Sequence, residues 1–192
     1  TSPATIDAMH TATRRTHASP RPTGSVDARI ASVAALHHGV VNDIQLAAVG
    51  VNRAAVRRRI RAGQLLELMP HVYARVPLEQ LTIEGRRAAA LASMRAHPAA
   101  LCRVSAARLH GIWTRTDPER VIDVLSTTHW RPTDAEWVAY HSTELLEPGE
   151  LVVVAGQPST PVLRTCLDLG MCLTEWQLAS VLHEAQFRHG LD

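Results

Sequence analysis

The stretch from Asn42 to Gly63, NDIQLAAVGVNRAAVRRRIRAG, leaves the backbone few alternatives. Asn42 and Gln45 stand three apart, the spacing at which each side chain satisfies a backbone N–H at the start of a helix. Leu46 and Val49 then face inward, and Gly50 suits the left-handed conformation that ends a helix. Two residues later Asn52 is placed to cap a second helix, which Gly63 ends. Two capped helices joined by a three-residue, glycine-containing connection have the spacing of a helix-turn-helix. Upstream, Asp27–His38 carries Ile30, Val33, Ala34 and His37 at helical spacing, and Val40-Val41 forms a short bridge. Downstream, Leu65–Met69 and Val72–Val76 read as two strands around Pro70-His71. Three helices and a hairpin predict a winged helix-turn-helix over residues 27–77.

The second helix of the pair concentrates charge. Five arginines lie between positions 53 and 61, namely Arg53, Arg57, Arg58, Arg59 and Arg61. On a helical wheel Val56 and Ile60 form the inward seam, and Arg57, Arg61, Ala54 and Arg58 occupy an arc of about 100° opposite them. Ala54 and Ala55 are small, so the first turn would approach a surface closely. This suits a recognition helix in a DNA major groove, with its first turn near base edges and later arginines on phosphates. Asn52 and Arg57 are placed for direct readout, and Arg53, Arg57, Arg58 and Arg61 for groove and phosphate contacts. Arg59 sits beside the seam and is expected to brace the fold or to contact the backbone. An arginine-rich face is often merely solvated; the capped helix before it and the hairpin after it favour duplex DNA as the partner. Three or four phosphate contacts predict a log–log salt slope of about −3, hence modest binding by one copy.

The whole-chain charge of +2 conceals an asymmetry. Residues 1–79 carry ten arginines against five acids, and residues 80–192 carry ten against thirteen. There is no lysine at all, a composition bias that deprives arginine richness alone of meaning. Residues 1–26 are rich in Thr, Ser, Pro and Ala without periodicity and are expected to be a disordered leader, in which Met9 is a candidate start. From 78 to 192 helices and strands alternate. Helices are expected at Thr82–Ala96, at a short segment capped by Ser105 and ended by Gly111, at Thr160–Leu169 and at Thr174–His189. Strands are expected at Ala100–Val104, Val121–Leu125, Trp137–His141 and Leu151–Ala155, with a turn at Glu147-Pro148-Gly149. The fold class is therefore α+β, a winged helix-turn-helix followed by a mixed helix/strand domain over 78–192. The absence of a long apolar run and of a signal-peptide core predicts a cytoplasmic protein with no membrane partner.

Catalytic and metal-binding patterns are not legible. His183-Glu184 with His189 has its histidines six apart, whereas a zinc helix needs four. Cys102, Cys166 and Cys172 have neither CxxC nor helical spacing and read as reduced, core-filling thiols. Asp168, surrounded by apolar residues, is expected to pair with Arg164 one turn earlier rather than to catalyse. No phosphate loop, nucleophile elbow or dinucleotide fingerprint occurs. The expectation is a non-enzyme with no cofactor.

The segment GVVNDIQLAAVGVNRAAVRRRIRAGQLLELMPHVYA resembles the N-terminal winged-helix domain of AbiEi-type antitoxins of bacterial type IV toxin–antitoxin systems. SAARLHGIW (105–113) and TPVLRTCLDL (160–169) look like recurring motifs of the following domain in actinobacterial members. The resemblance spans roughly residues 27–188. It departs at Pro70-His71, where relatives usually carry Arg-Gly, and the acidic metal motif of the nuclease domain into which many similar chains continue is not among these residues. The resemblance implies a DNA-binding autorepressor whose second part counters a nucleotidyltransferase-like toxin. Two other readings stay open: a DNA-targeting remnant of a protein resembling very-short-patch-repair endonucleases, and a winged-helix protein–protein adaptor.

Overall fold

The structure, a computed structural model, describes residues 24–129, 131–144 and 148–190. The expected leader falls almost wholly on residues 1–23, outside the described residues, as does Glu147 of the expected turn. The chain is α+β. Its first part runs α1 (Val26–Leu36), β1 (Val40–Asn42), α2 (Asp43–Ala48), α3 (Arg53–Arg61), β2 (Leu66–Met69) and β3 (Val72–Ala74). The three strands form an antiparallel sheet in the order β1-β3-β2, with Val40 opposite Ala74 and Val41 opposite Tyr73. The Val40-Val41 bridge is thus a strand, too short for a periodic signal of its own.

Strand alternation gives this small sheet two buried faces. Val41 and Tyr73 join Ile30, Leu46, Val51 and Val56 in a core beneath α1, α2 and α3. Val40, Val72 and Ala74 point the other way, onto α4 (Ile83–Ser93), where they meet Ala89, Ala90 and Met94. No residue of α4 is exposed, because its far side packs on a second sheet.

That sheet has the strand order β6-β5-β4-β8-β7, built from β4 (Ala99–Leu101), β5 (Ile122–Ser126), β6 (Val138–Ser142), β7 (Val152–Val154) and β8 (Gln157–Ser159). β4 runs antiparallel to β5 and parallel to β8, β5 parallel to β6, and β7 antiparallel to β8. Leu101, Ile122 and Val124 share the core of α4 and of the small sheet. One hydrophobic core therefore crosses the boundary drawn at 77/78. A further cluster joins α5 (Arg103–Leu109), α6 (Val162–Gly170) and α7 (Glu175–His189) through Ala107, Cys166, Leu169, Val181 and Ala185.

Several sequence expectations need correction. The strand expected at Ala100–Val104 stops at Leu101, and Val104 is already in α5. Cys102 occupies the cap position of α5, whereas Ser105 is inside the helix and fully buried. Its hydroxyl donates to Glu119 Oε1 at 2.5 Å and accepts from the Asp123 N–H at 2.9 Å. A burial need thus takes a residue type that favours caps. Cys102 and Cys166 are buried as expected, but Cys172 is exposed. Strand β8 escaped notice because Gln157-Pro158-Ser159 carries no apolar residue of the usual strand kind; its burial comes from neighbours on both sides.

Candidate nucleic-acid interface

Helix α3 is held at its start by Asn52, whose Oδ1 accepts the Ala55 N–H at 2.9 Å. Before it, Asn42 and Gln45 form the reciprocal cap of α2, with both bonds at 2.9 Å. Gly50 and Gly63 take positive φ of 72° and 67°, which ends each helix within a residue or two of its last turn. Val51 is buried between the two helices. The angle between α2 and α3 is therefore fixed by a cap, a glycine and a buried valine, all local to the segment.

The inward face of α3 is Ala55 and Val56, with Ile60 half-buried. Ala55 belongs to the core, so of the two small residues only Ala54 is available at the surface. Asn52, Arg53, Ala54, Arg57, Arg58 and Arg61 are all exposed. Among the described residues none of these four arginines forms an ion pair. Arg59 behaves differently: its Nε donates to Asp27 Oδ1 at 2.8 Å and its Nη1 to the Ala55 carbonyl at 3.1 Å. That hydrogen bond from Arg59 holds the Asp27 carboxyl below its ordinary pKa. Elsewhere Arg87, Arg95, Arg108, Arg115, Arg164 and Arg188 each meet a carboxylate. Arg29, Arg75, Arg86, Arg103, Arg120 and Arg131 also form no ion pair among the described residues, but they are scattered, whereas α3 gathers four such arginines on one short helix.

Beside α3 lies a groove of about 470 Å³ between α2, α3 and the hairpin. It is lined by Ile44, Ala47 and Tyr73 together with Arg53, Arg57, Asp43 and Glu67. The hairpin turn is held close. His71, at φ 67°, donates its N–H to Glu67 Oε1 at 3.1 Å and accepts the Asp43 N–H at 3.1 Å on its carbonyl. Arg95 reaches Asp43 with two bonds, at 3.2 and 2.8 Å. The turn at Pro70-His71 is thus tied to the first turn of α2, although its second residue lacks glycine's freedom.

Sequence reasoning missed this Arg95–Asp43–His71 junction, whose members lie far apart in the chain. It also missed a buried brace in which Glu119 accepts from Arg87 Nε at 3.1 Å while holding Ser105. Only spatial proximity reveals either. The predicted pair of Arg164 and Asp168 is present at 2.8 Å. Asp123 Oδ1 lies 2.9 Å from His141 Nε2, a part-buried contact that no spacing in the sequence signals.

No family model matches the chain, and no curated protein does. Among solved structures, the chain is similar to the RV2827C protein from Mycobacterium tuberculosis, with a TM-score of 0.41 and 18% identity. The alignment covers 87% of this chain and 77% of that one.

Proposed function

We propose that this chain is a winged helix-turn-helix protein that binds double-stranded DNA through α3. The observation that carries the reading is the contrast within one helix: Arg59 is neutralised by Asp27, whereas Arg53, Arg57, Arg58 and Arg61 share an exposed arc with no carboxylate partner among the described residues. Unpaired guanidinium groups on a capped helix suit the charge of phosphates flanking a major groove. The element order and the β1-β3-β2 sheet support the winged form of the motif. Asn52 and Arg57 read base edges; Arg53, Arg58 and Arg61 hold the backbone, and Ala54 lets the first turn come close.

The biological role follows from the resemblance in the sequence. The protein acts as the antitoxin and autorepressor of a type IV pair, binding an operator near its own gene and opposing a nucleotidyltransferase-like toxin. Titration of a selected duplex by fluorescence anisotropy tests the DNA half. Arg57→Ala with Arg58→Ala is expected to weaken binding, to relax the sequence preference at the base pair Arg57 reads and to reduce the salt slope by about 1; unchanged affinity sinks the reading. Co-expression with the product of the adjacent gene tests the antitoxin half, where failure to rescue growth counts against it.

A further inference from the structure

Aromatic side chains are scarce in this protein: four Trp, two Tyr and one Phe. Two of them stand almost fully in solvent on α7. Trp176 is 87% exposed and Phe187, the sole phenylalanine, 80%. Helical spacing puts both on one outward stripe with Ser180 and His183, directly opposite the buried Val181 and Ala185. The stripe contains no Asp, Glu or Arg. The Ser180 hydroxyl donates to the Trp176 carbonyl at 3.0 Å, so the middle of the stripe presents no unmet hydroxyl donor. A face depleted of charge and anchored by aromatics has the composition of an interface core rather than of a solvated surface.

The spacing of the stripe says what covers it. Trp176 and Ser180 are four apart, as are His183 and Phe187, and the gap between the pairs is three. The pattern reads the same in both directions about a point between residues 181 and 182. Two copies of α7 laid antiparallel across a two-fold axis therefore place Phe187 of each against Trp176 of the other, and His183 against Ser180. Such a self-complementary contact is what an isologous dimer requires. The receptor is present too. Trp176 stands on the edge of a groove of about 320 Å³, also lined by Trp113, Thr114, Arg115 and Ser180, and the reciprocal register brings the partner's projecting phenylalanine to its mouth. Each buried Trp or Phe removes about 150–250 Å² from water, so four anchors supply roughly 600–1,000 Å². A stable interface needs about 1,200 Å² or more in total, and Ala179 and Gln186, exposed on one flank of the stripe, add to the anchors.

We infer that α7 is a homodimerisation helix, pairing antiparallel with α7 of a second copy through Trp176 and Phe187. The partner's phenylalanine completes the groove beside Trp113. Sedimentation equilibrium of the full chain, without DNA, tests this from about 1 to 200 µM. The expected result is a monomer–dimer equilibrium for the native chain, starting from the 21.0 kDa monomer. Phe187→Glu and Trp176→Glu, each checked by circular dichroism and melting temperature to be folded, are expected to weaken dimerisation at least tenfold. A native chain that stays monomeric throughout overturns the inference, and so does a dimer that both variants leave intact. Capture of the stripe by some other protein would appear as the first of these outcomes. Because no DNA is present, the result is independent of the role given to α3, and Arg57→Ala with Arg58→Ala is expected to leave the sedimentation unchanged.

Discussion

Arg58 and Arg59 are chemically identical neighbours with opposite fates, decided by the 100° that a helix turns per residue. Arg59 points at Asp27 and the Ala55 carbonyl, and Arg58 points at solvent. Arg59→Ala is expected to lower the melting temperature and leave the salt slope of DNA binding near its native value. Arg58→Ala is expected to do the reverse, removing about 0.9 from that slope. A second residue-scale case lies in the two-residue turn between β7 and β8. There Ala155 takes φ 47° beside Gly156 at φ 77°, a conformation that favours Asn-Gly. Ala155 is exposed, so Ala155→Asn is expected to stabilise the protein by about 0.5–1 kcal/mol in urea titration. The left-handed positions at Gly50 and Gly63 were legible in the sequence because glycine advertises them. Those at His71 and Ala155 were hidden, since the local turn imposes the conformation against residue preference.

At the scale of elements, the two asparagine caps look equivalent in sequence and differ in consequence. Within the protein the Asn52 side chain serves only to cap α3. Asn42 caps α2 and also donates from Nδ2 to the Ala92 carbonyl at 3.1 Å, while being 4% exposed. Asn52→Ala is expected to cost about 1 kcal/mol. Asn42→Ala is expected to cost about 2 kcal/mol, because a second hydrogen bond, to the part-buried Ala92 carbonyl, is lost together with the cap; equal losses for the two by chemical denaturation would contradict this assignment. Helices were read well from sequence wherever a cap and an apolar period coincided, as in α2, α3 and α7. Reading failed for β1, whose partner β3 is distant in sequence, and for β8, whose Gln157-Pro158-Ser159 lacks apolar strand residues although it pairs with the adjacent β7. The arginine arc of α3 was legible in full, but the junction that holds the hairpin beside it was not, since Asp43 and Arg95 come from different elements.

For the whole molecule, acid sensitivity follows from two histidines. Burial lowers the pKa of His110, with His189 adding to the effect against a bond to the Thr160 carbonyl. Burial likewise lowers that of His37, beside His38. A histidine whose folded pKa lies below its unfolded value of about 6.5 binds protons more readily when unfolded. Its contribution is complete above that value and is lost as pH falls through it towards the folded one. The melting temperature is therefore expected to drop between about pH 7 and 5, before the lowered carboxylates of Asp27, Glu84 and Asp117 are protonated. His110→Gln, which keeps a donor for Thr160, is expected to flatten part of that drop; an unchanged profile would remove His110 from the account.

The position of α4 carries a consequence for how this sequence can change over time. A surface helix has a solvent side on which substitutions go unnoticed. In α4 no position is exposed, and its small residues pack between the two sheets. Enlarging Ala89 or Ala90 would push the two layers apart. Drift in this stretch is thus held to near-synonymous exchanges, while the loops around it stay free to diverge.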